Sequence, residues 1–297
     1  MKHKALFSYL SIVIILSAAF IFVVKLLGQQ GHFLVGLYML VPAIAAIITR
    51  IFFHDKKFKD ANLKLGKLKH WLFFWAIAIG ITSLSYAIFT MLGAISWDFS
   101  GQTFLSQLSE SEQMAPFGQE MTELPEGMTP FMMLILFAIG GLTVFSIMPG
   151  IIMGFGEEFG WRGLMFPALY KIKPWVAFII GGLIWYAWHM PLGIVLPQTE
   201  SFSILPSVFN YLFVGIATIC NFIFLAYVYI KTESIWITSF THIVLNNSAI
   251  SFSYFASVTD QFMGNLGLMI TMLIVVGVLY FKKEFIIFKE YFNKMRT

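Results

Sequence analysis

The sequence has 297 residues, of which 59% are hydrophobic and only 11% are charged. Because an ordinary soluble domain carries about 25% charged residues, this composition excludes a water-soluble fold. We expect a lipid bilayer as the surroundings and no nucleic-acid partner.

Apolar stretches of about 20 residues recur along the chain, and each is long enough to cross a hydrocarbon core of roughly 30 Å as a helix. A helix satisfies its own backbone hydrogen bonds in lipid, and the alternating pattern of membrane barrel strands is absent. The sequence therefore predicts an all-α fold, a polytopic membrane bundle of about eight transmembrane helices. The predicted spans are 6–27, 33–53, 71–95, 131–170, 175–196, 205–230, 234–254 and 262–281, with a kink at Pro149 in the fourth.

The first span follows a short charged start that contains Lys2 and Lys4. Its apolar part is longer than the core of a typical secretory signal, so we interpret it as a retained anchor.

The single cysteine, Cys220, excludes an intrachain disulfide. Since it lies in an apolar run, it is predicted to be a packed core thiol.

Charge placement predicts the topology, because short cytoplasmic loops collect Lys and Arg. Residues 50–70 contain seven Lys and Arg side chains, whereas residues 96–130 contain six acidic side chains and no Lys or Arg. The two loops must face opposite sides. Eight spans with both termini in the cytoplasm fit this pattern and leave Lys25 as the only base near the outer face. The expected location is the cell membrane, and the Phe, Ile, Met and Lys-rich composition is typical of a bacterial source.

Three regions follow from these features. Residues 1–130 form an N-terminal three-span region with the basic and acidic loops, residues 131–255 form the membrane core, and residues 256–297 form a final span with a basic tail. The polar segment 109–113 of the acidic loop is interpreted as a solvated connector, with partner docking as the alternative. No internal repeat indicates the inverted halves of many transporters.

Ionisable and amide side chains inside the core mark a candidate site. Placing a charged residue in hydrocarbon costs about 2.5–3.5 kcal/mol on insertion scales, so such residues need a partner or a function. Helical rise places Glu157 and His189 each about 21 Å from a predicted cytoplasmic reference point and His242 about 16 Å, so the three can meet. The polar residues fall in three groups: Glu157, Glu158 and Arg162; Trp185 and His189; His242 and Asn246.

Local spacing suggests roles for some of these side chains. Glu158 and Arg162 are four residues apart and can form an ion pair on one helical face. Glu157 points about 100° away from its neighbour and is free to face a cavity. Each group also has a simpler interpretation, as an interfacial cap, a hydrogen-bonded core histidine or polar contacts between helices.

The three groups resemble the motifs of the CPBP family of intramembrane proteases, which includes the type II CAAX prenyl endopeptidases and bacteriocin-processing or immunity proteins. The family's Glu-Glu-x-x-x-Arg motif matches Glu157 to Arg162. Its aromatic residue four before a histidine matches Trp185 and His189, with Trp in place of the usual Phe. Its third motif matches His242 and Asn246.

The resemblance implies hydrolysis of a peptide bond within the membrane. Glu157 and His189 would activate a water, Glu157 as the general base, while His242 and Asn246 would stabilise the oxyanion. Glu158, Arg162 and Trp185 would support these groups. A prenylated C-terminal tetrapeptide, a bacteriocin leader, a peptide pheromone and a membrane-protein segment all remain possible substrates.

Two questions stay open at this point. A glutamate mechanism without metal is favoured, but a zinc ion held by Glu157, His189 and His242 is the alternative. The same polar pocket would also suit a noncatalytic immunity or signalling-accessory protein, and a transporter is a third interpretation.

Overall fold

The architecture comes from a computed structural model that describes residues 4–110, 124, 126–195 and 204–296. Part of the acidic loop, at positions 111–123 and 125, lies outside these residues, and this part includes positions 111–113 of the predicted connector. Position 196, at the end of the predicted fifth span, also lies outside them. The described chain is an all-α membrane bundle, as the sequence predicts, with one small antiparallel pair of strands.

The N-terminal part of the chain contains three apolar α-helices, a 3₁₀ segment and two short elements. The helix α3 begins after the extended residue Lys67 and continues for 24 residues. In chain order the elements are α1 (Lys4–Leu27), a 3₁₀ segment (Gly28–Leu40), α2 (Val41–Phe52), α3 (Leu68–Met91), β1 (Ile95–Trp97) and α4 (Gln102–Glu110).

The remaining elements form the core and the C-terminal end of the bundle. Three of these helices begin with side-chain caps. Thr129, Ser234 and Asp260 accept from the amides of Met132, Ile237 and Met263, respectively. The elements are α5 (Pro130–Leu142), α6 (Val144–Ile147), α7 (Gly150–Gly160), a π-helical turn (Trp161–Met165), α8 (Phe166–Tyr170), α9 (Pro174–His189), a 3₁₀ turn (Met190–Ile194), α10 (Ile204–Thr232), α11 (Ile235–Ser253), β2 (Ala256–Val258), α12 (Gln261–Phe281) and α13 (Ile286–Arg296).

Seven helices in the described part of the chain are long and apolar enough to cross a membrane, compared with the expected number of about eight. The protein is thus a multi-pass membrane protein. The difference concerns the predicted span 234–254, which forms α11 but is not among the seven. The reason is its polarity, because α11 buries Thr238, Ser239, Thr241 and His242. The seven are Lys4–Leu27, Leu34–Phe52, Leu68–Met91, Pro130–Ile147, Pro174–Gly193, Ser207–Thr232 and Gln261–Phe281.

The predicted fourth span, 131–170, is interrupted rather than continuous. Breaks separate α5 from α6 at Thr143 and α6 from α7 at Met148–Pro149, where the sequence predicts a kink. The helices α5, α6 and α7 nevertheless follow one another in a single direction alongside α11. Ser251 donates to the carbonyl of Ala138 at 3.1 Å near one end, and His242 contacts Glu158 at 2.9 Å farther along. The interrupted span and α11 are therefore antiparallel partners.

The basic loop and the ends of the chain lie at one end of the bundle. Lys64 contacts Glu233 at 2.9 Å, and Lys294 of α13 contacts the same carboxylate at 3.2 Å. Lys4, at the start of α1, lies over the ring of Phe53. The start of α1 and helix α13 therefore lie beside the basic loop, while the cytoplasmic placement of both termini stays a prediction. The strands β1 and β2 pair at the opposite end of α3 and α11.

Candidate active site

Glycines allow α7 to pack closely between two neighbouring segments. A Cβ atom on Gly154 would lie 2.6 Å from the carbonyl oxygen of Ser239 in α11, and one on Gly160 would lie 2.6 Å from the carbonyl oxygen of Pro42 in α2. Small residues are what permit such backbone contacts between membrane helices. Glu157 and Glu158 lie between these two glycines, so the close packing fixes where both carboxylates point.

Glu158 is the centre of a buried charge cluster. Arg162 donates to its Oε1 atom at 2.7 Å, and Nδ1 of His242 contacts the same oxygen at 2.9 Å. The guanidinium of Arg162 lies between the rings of Trp185 and Phe222, at 4.7 and 4.1 Å from their centroids. Because Glu158 and Arg162 are both fully buried, each charge depends on the other for compensation.

Glu157 faces a different set of partners. The indole Nε1 of Trp185 donates to its Oε2 atom at 2.7 Å, and Nε2 of His189 lies 3.8 Å from the same oxygen. Nδ1 of His189 is 2.9 Å from the backbone carbonyl of Trp185. Since a carbonyl only accepts, Nδ1 carries the hydrogen and Nε2 of the neutral ring is an acceptor directed toward Glu157.

His189 also marks the accessible side of the site. Its side chain is 35% exposed, whereas that of Glu157 is only 5% exposed. The backbone next to His189 is held in place, because Tyr38 donates to the carbonyl of Trp188 at 3.0 Å and the indole of Trp188 donates to Ser17 at 3.0 Å. The imidazole is thus a rigidly supported group at the border between the buried carboxylates and the outside.

Asn246 is placed differently from the other predicted site residues. It lies on α11 one helical turn beyond His242, and it is exposed. Within the described residues, the hydrogen bonds and ion pairs around Glu157 and Glu158 do not include Asn246. Its neighbour Asn247 instead donates to Ser146 at 3.0 Å. The structure therefore joins six of the seven predicted residues and leaves Asn246 at the rim.

All seven predicted site residues lie in one segment of the chain, which matches a known protein family. Residues 139–248 match the family model of Rce1-like type II CAAX prenyl endopeptidases. This match confirms the family resemblance expected from the motifs, and it supports a membrane-embedded hydrolase of the protease type. A comparison with curated proteins finds no match.

The Rce1-like segment does not present the alternative zinc set in this arrangement. Among the residues that the structure describes, no group of three or more His, Cys, Asp or Glu side chains is arranged to hold a metal ion. Glu157, His189 and His242 are therefore not gathered as the three ligands of a catalytic zinc, and no step below is derived through a metal.

Two contacts of this site were not predicted from the sequence. One is the indole hydrogen bond from Trp185 to Glu157, which the replacement of Phe by Trp could have suggested, because only Trp carries a donor. The other is the support of α9 by Tyr38 and Ser17. No local signal points to it, since these residues are about 150 or more positions away from Trp188 in the chain.

Proposed function

We propose that the protein is an intramembrane endopeptidase in which Glu157 and His189 activate a water that hydrolyses a peptide bond. The observation that carries this proposal is the 3.8 Å approach of the His189 Nε2 atom to a buried carboxylate oxygen of Glu157. This separation is too long for a direct hydrogen bond. A water beside the pair can reach both atoms at an ordinary hydrogen-bond distance of about 2.8 Å.

Glu157 is the general base in the first step. It accepts a proton from the water while the water oxygen bonds to the carbonyl carbon of the substrate, and the carbonyl π electrons move to the oxygen. The hydrogen bond from Trp185 holds the carboxylate in position, and His189 orients the water through Nε2. Glu157 then gives the proton to the departing amine as the C–N bond breaks, so one water and one peptide yield a carboxylic acid and an amine.

His242 is suited to stabilise the oxyanion once it is protonated. Glu157 and Glu158 bring two negative charges into the site, and Arg162 compensates one of them. An imidazolium at His242 compensates the other. Because Nδ1 of His242 already donates to Glu158, its Nε2–H is left to donate to the oxyanion.

Asn246 is proposed as the second donor at the rim. Its exposed amide lies one turn from His242 on the same helix. We propose that Asn246 contacts the bound substrate, which explains why it takes no part in the buried contacts of the free site.

The substrate class is a membrane-associated peptide. A prenylated C-terminal peptide is the substrate named by the matching family, and leader-type peptides and membrane-protein segments are the further candidates.

A reconstitution experiment tests this proposal. The purified protein in lipid nanodiscs is mixed with a prenylated C-terminal peptide, a leader-type peptide and a membrane-helix peptide, and new termini are mapped by mass spectrometry. At least one class should be cleaved, and Glu157→Gln should lower the rate by about 10²–10⁴-fold, the range for a general base. Glu233→Gln, which removes a carboxylate far along the bundle, is the control and should cleave at the normal rate.

Two results would contradict catalysis. One is a folded Glu157→Gln variant that cleaves as fast as the unchanged protein. The other is an unchanged protein that binds a peptide of any class but cleaves none of them, with the same affinity in Glu157→Gln. The second result would favour a noncatalytic binding protein.

A further inference from the structure

A second polar cavity lies at the basic end of the bundle, away from the Glu157 site. Its volume is about 350 Å³, which falls in the range of small-molecule pockets. The walls come from the start of α1, the basic loop, α8, the end of α10 and α13. Since α2, α8 and α10 all end here, the cavity opens where the apolar spans stop and polar surroundings begin.

The floor of this cavity is built around Arg50, a fully buried arginine. Its guanidinium donates to Asp60 at 2.7 Å and to the backbone carbonyls of Lys57 and Gly163. Gly163 belongs to the π-helical turn, so this contact ties the basic loop to the helix that carries Glu157. The floor is therefore preformed by contacts that need no ligand.

The carboxylates that line the cavity are already paired. Asp60 accepts from Arg50 and contacts His54 at 3.0 Å. Glu233 contacts Lys64 at 2.9 Å and Lys294 at 3.2 Å. Because these carboxylates are already paired, they have little negative charge left to neutralise the other cationic side chains of the cavity.

Two lysines of the lining lack such a partner. Lys56 and Lys171 are exposed and line the cavity from the basic loop and from the end of α8. Among the described residues, neither makes an ion pair with a carboxylate. The cavity therefore presents an excess of positive charge, together with the hydroxyl and amide groups of Tyr229 and Asn62.

We propose that this cavity binds the phosphate ester of an anionic phospholipid headgroup. Lysine ammonium groups bind phosphate as point charges, and basic pockets between membrane helices are sites for anionic headgroups. A free phosphate ion has the same charge chemistry but fills only a small part of about 350 Å³. A headgroup also reaches this position with its acyl chains still beside the apolar spans. The proposal does not depend on the peptidase function.

Native mass spectrometry of the purified protein in non-ionic detergent provides the test. The probes are dioctanoyl phosphatidylglycerol, dioctanoyl phosphatidylcholine and inorganic phosphate. The unchanged protein should bind phosphatidylglycerol at least about tenfold more tightly than phosphatidylcholine, a difference of about 1.4 kcal/mol. The double variant Lys56→Gln/Lys171→Gln should lose this preference.

Matched variants separate the cavity from general surface charge. Lys59→Gln/Lys173→Gln removes the same charge from nearby exposed positions that do not line the cavity, and it should keep the preference. Ala168→Leu adds bulk to the wall without changing charge and should also weaken phosphatidylglycerol binding. Equal losses in both double variants would overturn the proposal. Competition by inorganic phosphate at the same concentration as the lipid would overturn the lipid assignment in favour of a soluble anion.

Discussion

Two buried arginines, Arg162 within the π-helical turn and Arg50 in contact with it, show how the contribution of an arginine–carboxylate pair depends on its surroundings. Arg162 pairs with Glu158 at 2.7 Å, and both side chains are 0% exposed. Arg50 pairs with Asp60 at the same distance, but Asp60 is 35% exposed. Arg50 also donates to two backbone carbonyls. Arg162 thus has one buried carboxylate and one long contact, at 3.5 Å, with the backbone carbonyl of Phe222. Arg50 has two close carbonyl acceptors and a carboxylate partner in contact with water.

The two ion pairs differ because different groups surround Arg162 and Arg50. Around Arg162 the charged groups are those of the proposed chemistry. Because these groups are buried away from water, their charges act more strongly on one another. Around Arg50 the basic loop supplies a backbone carbonyl acceptor, and the partner Asp60 is in contact with solvent. We therefore expect the buried pair to couple strongly and the outer pair to couple weakly, and the predictions below test this ranking.

The largest effect is expected for Arg162→Met. The substitution leaves Glu158 buried without its main cation, which costs about 3–5 kcal/mol when one partner of a buried pair is lost. The double variant Glu158→Leu/Arg162→Met removes both charges and should be less destabilised than the sum of the single variants. Denaturant unfolding in detergent micelles measures all three. Additive losses within about 0.5 kcal/mol would show that the two side chains are not coupled.

Much of this architecture is predictable from the sequence because hydropathy is a local property. The length of an apolar run fixes whether a helix can cross the bilayer, and most predicted spans agree with the structure within a few residues. The interruption of 131–170 could be predicted only at Pro149, where Pro prevents a regular helix. The break at Thr143 and the π turn after Gly160 depend on packing against α11 and α2, which sequence spacing does not contain.

The site was predictable as a set of residues rather than as a set of contacts. The i,i+4 spacing correctly predicts that Glu158 and Arg162 meet. It pairs His242 equally with Asn246, but in the structure His242 contacts Glu158 from a different helix. The rotation of one helix against another decides such contacts, and that rotation depends on close packing at glycines such as Gly154.

Trp185→Phe should have the next largest effect, and it acts on activity. Phe keeps the aromatic ring but cannot donate to Glu157, so the carboxylate loses a 2.7 Å hydrogen bond. A bond to a charged group is worth about 1.5–3 kcal/mol, and we expect kcat to fall by about tenfold or more with little change in KM. Trp75→Phe is the matched control, since it removes an indole bond to the backbone carbonyl of Leu142 instead. Equal losses of kcat in the two variants would contradict a role for the Trp185 donor.

Asp60→Asn tests the outer arginine and its pH dependence. Partial burial alone raises the pKa of Asp60, but hydrogen bonds from Arg50 and His54 outweigh it and hold the pKa below the ordinary value of 3.8. Because the folded pKa is lowered, the stabilisation is present above pH 3.8 and is lost as the pH falls through the folded pKa.

We expect Asp60→Asn to cost about 1 kcal/mol at neutral pH, less than Arg162→Met, because Arg50 keeps its carbonyl acceptors. The difference in unfolding free energy between the unchanged protein and the variant should shrink below about pH 4, where Asp60 takes up a proton. Unfolding curves recorded across this pH range measure this difference in unfolding free energy. A constant difference down to pH 2 would show that the carboxylate charge does not stabilise this end of the bundle.

The smallest effect is expected for Glu233→Gln. Glu233 contacts Lys64 and Lys294, but the three side chains are 47, 62 and 75% exposed, so water and salt screen the attraction. Exposed ion pairs contribute about 0.2–1 kcal/mol, and we expect a loss in the lower half of this range that disappears at high ionic strength. Thermal unfolding at low and high salt measures it. A loss as large as that of Arg162→Met would mean that burial does not decide how much these pairs contribute, because an exposed carboxylate would then matter as much as a fully buried one.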